Sequence, residues 1–204
     1  MLNIFNYLGI KKIIPSPHIY TELYPNNKKS IKSAFEKLKS NKEFKGQKVI
    51  INSYSAEYLI DDIFLNKLKN KDQLLCPFKN HVLIEIPLHG DILILNEALF
   101  LLQESNYVPI LAHPERFVCI NDTKKIEQLK LRGAMTQLNI NSLNGYYGKM
   151  VETKAKKWLR SGLYDFICTD AHNTYQLESI SNIKITKKER KEIEKICLFQ
   201  KSYI

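Results

Sequence analysis

Residues 81–116 read HVLIEIPLHGDILILNEALFLLQESNYVPILAHPER, and they decide the fold class. The stretch opens on a β-rich run, 81–87. There Val82, Ile84 and Ile86 alternate with Leu83 and Glu85, as the period of two in a strand requires. Residues 91–105 follow, with Leu95, Ala98, Leu99 and Leu102 at helical spacing. The stretch closes on 108–112, a continuous apolar run of the buried-strand kind, followed by His113, Glu115 and Arg116. Strand, helix and second buried strand make a β-α-β unit, and such units build parallel sheets.

The same alternation extends both ways. Upstream, 12–15 is a short apolar run ending in Pro15-Ser16-Pro17-His18. Residues 30–44 carry Ile31, Ala34, Phe35 and Leu38 at helical spacing, with Gly46 beyond. Residues 48–52 read as a strand leading into Ala56-Glu57-Tyr58, and 61–69 as a short amphipathic helix. Downstream, 122–132 reads as a helix capped by Asp122 or Thr123 and closed by Gly133. Residues 135–140 read as a strand, 148–161 as a helix closed by Gly162, 164–168 as a strand, and 187–199 as a last helix. No repeat and no linker interrupts the pattern. One α/β domain, 1–204, with a parallel sheet is expected.

Composition narrows the function classes. Hydrophobic residues at 44% and charged residues at 25% suit a globular chain, which excludes a disordered or collagen-like one. Lys+Arg minus Asp+Glu is 31 − 21 = +10, a basic excess that would suit nucleic acid or an acidic surface. The lysines are spread through 28–48 and 184–201 with little aromatic interleaving, however, and an A/T-rich coding bias is the plainer explanation of the excess. No nucleic-acid partner is expected. The four cysteines form no CxxC pair, which speaks against a zinc ribbon and a disulfide framework and for a reducing compartment. No apolar run approaches the ~18 residues of a membrane span. The first ten residues lack the basic start and small-residue cleavage site of a signal peptide. A cytoplasmic protein without membrane insertion is the expectation.

Parallel sheets carry their chemistry at the carboxyl ends of the strands. His18, Glu57, Glu85, His113, Asn139, Asp170 and His172 all fall at or just after such ends. His, Asp and Glu without Cys form a nitrogen/oxygen ligand set that suits Mn, Fe or Zn. Paired carboxylates can bridge two divalent ions, which polarise a substrate oxygen and activate water. Asp170 and His172, two apart, can face one centre. Arg116 offers a planar fork that matches a phosphate oxygen pair. Metal set plus arginine suggests phosphate-ester hydrolysis.

Each residue also has a plain structural reading. His18 can be a turn histidine, and Glu85 can face solvent. Asp170 and His172 can cap the segment that follows, and Arg116 can pair with Glu115. His81 and His89 read as surface residues. A cysteine-nucleophile phosphatase loop is absent, since no Cys has an Arg six residues later. There is no GxxxxGK loop, no GxGxxG and no G-x-S-x-G elbow.

Several segments together resemble a family: Ile14-Pro15-Ser16-Pro17-His18-Ile19, Ala56-Glu57-Tyr58, His81-Val82-Leu83-Ile84-Glu85, Ile110-Leu111-Ala112-His113-Pro114-Glu115-Arg116, Gln137-Leu138-Asn139 and Thr169-Asp170-Ala171-His172-Asn173. In this order they resemble the PHP-type (polymerase and histidinol phosphatase) bacterial tyrosine phosphatases of capsule and exopolysaccharide loci, over roughly residues 1 to 180. The resemblance implies a distorted TIM-like (β/α)7 PHP barrel that holds up to three divalent ions, often manganese. It implies that Glu57 bridges two ions and that Glu85 and His113 complete the shell of the second. Asp170 would bind the first ion, His18 and His172 the third, and Arg116 would grip the phosphate. The implied substrate is phosphotyrosine on the tail of a tyrosine autokinase.

The chain departs from that pattern in two places. The family opens with a strand carrying His-x-His and a following Asp, whereas residues 1–9 here read as the end of a helix. The first strand is therefore expected to be missing. The family also places an Arg soon after the Asp-x-His segment, and no Arg or Lys occurs here between His172 and Lys184. Alternatives are a catalytically impaired PHP-fold binding or regulatory module and a PHP phosphoesterase for a small molecule.

Overall fold

The structure is a computed structural model that describes residues 1–41 and 48–203. Its centre is one sheet of six parallel strands in chain order. They are β1 (His18–Ile19), β2 (Glu57–Leu59), β3 (His81–Glu85), β4 (Val108–Ala112), β5 (Met135–Asn139) and β6 (Phe166–Cys168). Eight α-helices are described: α1 (Leu2–Tyr7), α2 (Lys28–Ser40), α3 (Asp62–Lys69), α4 (Ile92–Glu104), α5 (Thr123–Leu131), α6 (Lys149–Arg160), α7 (Thr174–Ile180) and α8 (Lys187–Lys201). Of the helix expected over 30–44, the part from 42 onward, and Gly46 beyond it, lie outside the described residues.

Strand periodicity sorts the core into two layers. Val82, Ile84 and Leu111 face the helices and pack with Leu95, Leu99, Leu102 and Trp158 in the main core. Leu83, Ile110, Ala112 and Phe166 point the other way and form a small inner cluster with Phe78, Met135 and Tyr203. Glu85 shares its face with Leu83, so it belongs to the inner face and not to solvent. The sheet curls around that face. His18 of β1 and His172 beyond β6 meet with Nε2 atoms 3.1 Å apart, although β1 and β6 are its two ends. Among the described residues β1 and β6 do not pair, so the sheet is not closed.

β3, β4 and β5 end within two residues of the bounds that their sequence predicts. The first two strands lie further along than expected. Lys12 and Ile50 make only an isolated parallel bridge, and the strands proper begin at His18 and Glu57. Pro15 and Pro17 are the cause. Their carbonyls accept from Ser55 and Glu57 N–H at 2.8 and 3.1 Å, but neither proline has an N–H to donate back. His18 therefore sits inside a strand instead of after one.

Two further differences concern helix α7 and His81. Helix α7 has Leu177 as its sole buried residue, which leaves no periodicity to read; its signal is the Asn173 cap, which accepts from Gln176 N–H at 3.0 Å. His81 is buried, not on the surface. Phe78 and Tyr203, the latter from the far end of the chain, cover its ring at 4.8 and 5.2 Å.

Helix α8 is fixed by one carboxylate. Buried Glu189 closes a capping box with Thr186 and accepts from Arg160 Nε and Nη2 at 3.0 and 2.8 Å. Burial pushes the Glu189 carboxyl up, but the Thr186 and Arg160 hydrogen bonds outweigh it and hold the group below its ordinary value. Its stabilisation is then present above the unfolded glutamate pKa of about 4.3 and lost as pH falls through the lower folded value. Glu189→Ala is expected to cost about 1–3 kcal/mol by denaturant unfolding at pH 7, and less at pH 3. An equal cost at both values would show that charge plays no part.

Candidate metal centre

The first residues of β1 and β2 and the carboxyl ends of β3, β4 and β6 converge on one cluster. Glu57 opens β2, Glu85 closes β3, His113 follows β4, and Asp170 and His172 follow β6. His113 Nε2 lies 3.0 Å from Glu57 Oε1, 3.7 Å from Glu85 Oε2 and 4.0 Å from Asp170 Oδ2. His18 Nδ1 lies 2.8 Å from Glu85 Oε1, but it is not aligned with that carboxylate as a hydrogen bond. Two groups of three could each hold an ion: His18, Glu57 and Glu85, and Glu57, His113 and Asp170. Glu57 belongs to both. This grouping cuts across the division the resemblance implies, in which Glu85 and His113 share one ion, but both divisions make Glu57 the shared carboxylate. His172 reaches the cluster through the 3.1 Å approach to His18 and is half exposed.

Three carboxylates facing one imidazole repel one another, and burial adds to the cost of their charge. Burial raises the Glu57 carboxyl, and nearby Glu85 and Asp170 add to the shift. Burial opposes a charged His113, but contact with Glu57 prevails and raises its pKa. The Glu85 carboxylate raises His18 to about 9. Burial pushes Glu85 up, while His18, His113 and Arg116 together bring it below its ordinary value. Carboxylates and imidazoles gathered within ligand distance, with no thiol in either group, are the donor chemistry a divalent ion fits.

The backbone is strained at this place. His113 has φ +33° and Asp170 φ +45°, both in the left-handed region that non-glycine residues avoid. Such conformations cost about 1–3 kcal/mol each and persist where the surroundings impose them. Two residues beyond His113, Glu115 anchors the loop. Fully buried, its carboxylate accepts from Ser142 Oγ at 2.7 Å, Asn139 N–H at 3.1 Å and Tyr164 Oη at 3.1 Å. Glu115 thus ties the loop after β4 to the end of β5 and does not pair with Arg116.

Arg116 instead donates from Nη1 to Asp170 Oδ2 at 3.2 Å, and its guanidinium lies 4.4 Å from the centre of the Tyr147 ring. Asn139 Nδ2 donates to the same Asp170 oxygen at 2.9 Å and to Tyr147 Oη at 3.0 Å. Sequence reasoning marked Asn139 as a strand end without a role and missed Tyr147. A tyrosine in a loop has no periodicity to betray it; the nearby Gly145 and Gly148, which mark a tight turn beside a strand end, were the available signal.

A parallel α/β protein with a buried histidine–carboxylate cluster and an adjoining arginine fork is thus defined by fold and site together. The chain belongs to the CpsB/CapC family of capsular polysaccharide synthesis, whose profile matches residues 1–197. CapC of Staphylococcus aureus, assigned as a tyrosine-protein phosphatase, is 30% identical over 192 residues, which span 91% of this chain and 74% of CapC. The tyrosine-protein phosphatase YwqE of Bacillus subtilis is 26% identical over 167 residues, 81% of this chain and 65% of YwqE. Among solved structures, those of YwqE and of CpsB from Streptococcus pneumoniae, described as unique metal-dependent tyrosine phosphatases, provide a match at TM-score 0.78 and 23% identity. It covers 100% of this chain and 86% of the matched one, and it shows the shared fold.

Proposed function

We propose that this chain is a divalent-metal-dependent phosphatase that hydrolyses phosphotyrosine on a protein of capsule or exopolysaccharide synthesis. The observation that carries the reading is the convergence of two three-residue ligand groups on Glu57 beside the Arg116 fork. Glu57, Glu85, His113, Asp170, His18 and His172 would hold the ions, manganese first among the candidates, with iron and zinc compatible with the donors. Such ions polarise a phosphoryl oxygen and bring the pKa of water towards neutrality.

The other work falls to the chain's own groups. Arg116 has five N–H donors and spends one on Asp170, so a pair remains for two phosphoryl oxygens. Asp170 and Tyr147 hold the guanidinium in place before substrate arrives, which lowers the cost of orienting it. Burial of His113 and Glu57 keeps water from screening the charges that develop on the phosphoryl group.

The same proposal takes the curled sheet as six strands of a distorted TIM-like PHP barrel, supported by the contact between His18 and His172. It takes the tail of a tyrosine autokinase as the protein substrate, in keeping with the names of the relatives. It places the protein in the cytoplasm, in keeping with four unpaired cysteines. No helix among the described residues is long and apolar enough to cross a membrane.

Burial raises the thiols of Cys76, Cys119, Cys168 and Cys197, so none is an activated thiolate. Hydrolysis of an aryl phosphate is therefore expected to be lost in EDTA, restored by Mn2+ and unaffected by iodoacetamide. Inactivation by iodoacetamide with EDTA harmless would refute the assignment. Tight retention of a phosphotyrosine peptide by the metal-loaded protein without turnover would favour the binding-module reading.

A further inference from the structure

Beside Arg116 three tyrosines gather. Tyr147 lies against the guanidinium, and the ring of Tyr146 meets that of Tyr147 edge-on with centroids 4.9 Å apart. The ring of Tyr175 lies 6.1 Å beyond Tyr146. Tyr147 is engaged, since Arg116 packs on its ring and Asn139 donates to its hydroxyl. Tyr146 and Tyr175 remain 38% and 67% exposed.

These two rings come from different elements, and the elements are locked together. Tyr146 follows a 3₁₀ turn, Ile140–Asn144, and Tyr175 lies in the first turn of α7. Asn141 Nδ2 donates to Gln176 O at 2.8 Å, Asn144 Nδ2 to Ser179 O at 3.0 Å, and Ser179 Oγ to Asn141 Oδ1 at 2.8 Å. Asn144 Oδ1 accepts from Tyr146 N–H at 3.0 Å. Gln176 Oε1 accepts from His172 N–H at 2.6 Å, which joins the assembly to the metal cluster. The rings are thus presented on a fixed support. Exposed rings on a fixed support can receive a flat apolar group, since contact with it removes their apolar surface from water.

An arginine fork at one end and open aromatic faces at the other match a ligand with a phosphate at one end and a planar ring at the other. We propose, on the phosphatase reading above, that Tyr146 and Tyr175 receive the phenyl ring of the substrate and select aryl over alkyl phosphoesters. They are specificity-determining residues, distinct from the groups that touch the phosphate. Offset or edge-on ring packing of this kind is worth about 2- to 10-fold in affinity per ring.

The test is equilibrium binding of two non-hydrolysable probes, phenylphosphonate and methylphosphonate, to Mn2+-loaded protein by calorimetry. The wild type is expected to prefer the phenyl probe by about tenfold or more. The double variant Tyr146→Ala, Tyr175→Ala should lose most of that preference while its affinity for methylphosphonate stays within about twofold. The double variant with Phe at both positions should keep the preference, because the rings and not the hydroxyls do the selecting. Both side chains are exposed, so the variants should fold; the thermal midpoint checks this. Equal binding of the two probes by the wild type would overturn the assignment and leave the phosphate site standing. Full preference in the alanine variant would overturn it as well. Binding of neither probe would remove the phosphate-site reading and this one with it.

Discussion

Glu57→Gln is expected to lower bound divalent metal at both ligand groups and to reduce phosphatase activity by more than the roughly 10²–10³-fold cost of removing one preorganised charge-stabilising donor. Glu57 is the residue common to the His18–Glu85 and His113–Asp170 groups. A carboxylate has two anionic oxygens and can serve two cations, while an amide of the same shape offers one neutral oxygen. Fold and metal effects separate cleanly here. Without metal, burial and the neighbouring Glu85 and Asp170 oppose the Glu57 charge, while His113 at 3.0 Å supports it. These opposing effects leave the metal-free variant with an expected melting temperature close to that of metal-free wild type. The rise in melting temperature that Mn2+ gives the wild type should largely vanish. Elemental analysis of both proteins, purified without chelator, checks the stoichiometry. Unchanged metal content in the variant would remove Glu57 from the centre.

The parts of the fold that could be read from sequence were those where local and tertiary demands agree. β3 and β4 are largely apolar runs buried on both faces, flanked by helices whose apolar spacing is regular, so period and burial point the same way. The caps at Asp61, Asp91 and Asp122 mark helix starts because each carboxylate accepts from a backbone N–H two or three residues on. The first two strands obey a different rule. Their pairing is decided by which residues have an N–H to give, and two prolines move the ladder toward His18 and Glu57. Apolar character around Lys12 and Ile50 says nothing of that.

The site divides in the same way. Glu85, His113, Asp170 and His172 are legible because parallel strands deliver their last residues to one edge, so a residue type at a strand end is already a coordinate, whereas His18 and Glu57 open their strands and reach the same cluster from the start of β1 and β2. The groups that position them lie elsewhere in the chain and carry no local pattern. Glu115 looks like a partner for its neighbour Arg116, yet its hydrogen bonds run to Ser142, Asn139 and Tyr164. The pairing of β4 with β5 and of β5 with β6 brings those groups together. His81 was misplaced for the same reason, since Tyr203 covers it from the opposite end of the sequence.

Arg116→Lys tests whether the fork or merely the charge matters. Lysine keeps the positive charge near Asp170 but presents one rotating ammonium in place of two parallel N–H groups, and it loses the planar guanidinium that lies over the Tyr147 ring. Arg116 is 30% exposed at the side chain, enough for phosphate to reach it and too little for water to screen it fully. Because charge on the phosphoryl oxygens is redistributed in the transition state, loss of the two-point grip should weaken that state more than the bound substrate. The expected result is a fall in kcat/KM on the order of 10²-fold, expressed mainly in kcat. Metal content should be unchanged, since Asp170 keeps Asn139 as a hydrogen-bond donor. A rise in KM alone would mean that Arg116 holds substrate and transition state equally. Unchanged kinetics with normal metal content would leave Arg116 as a structural partner of Asp170 and Tyr147, and phosphate recognition would then have to lie with the ions.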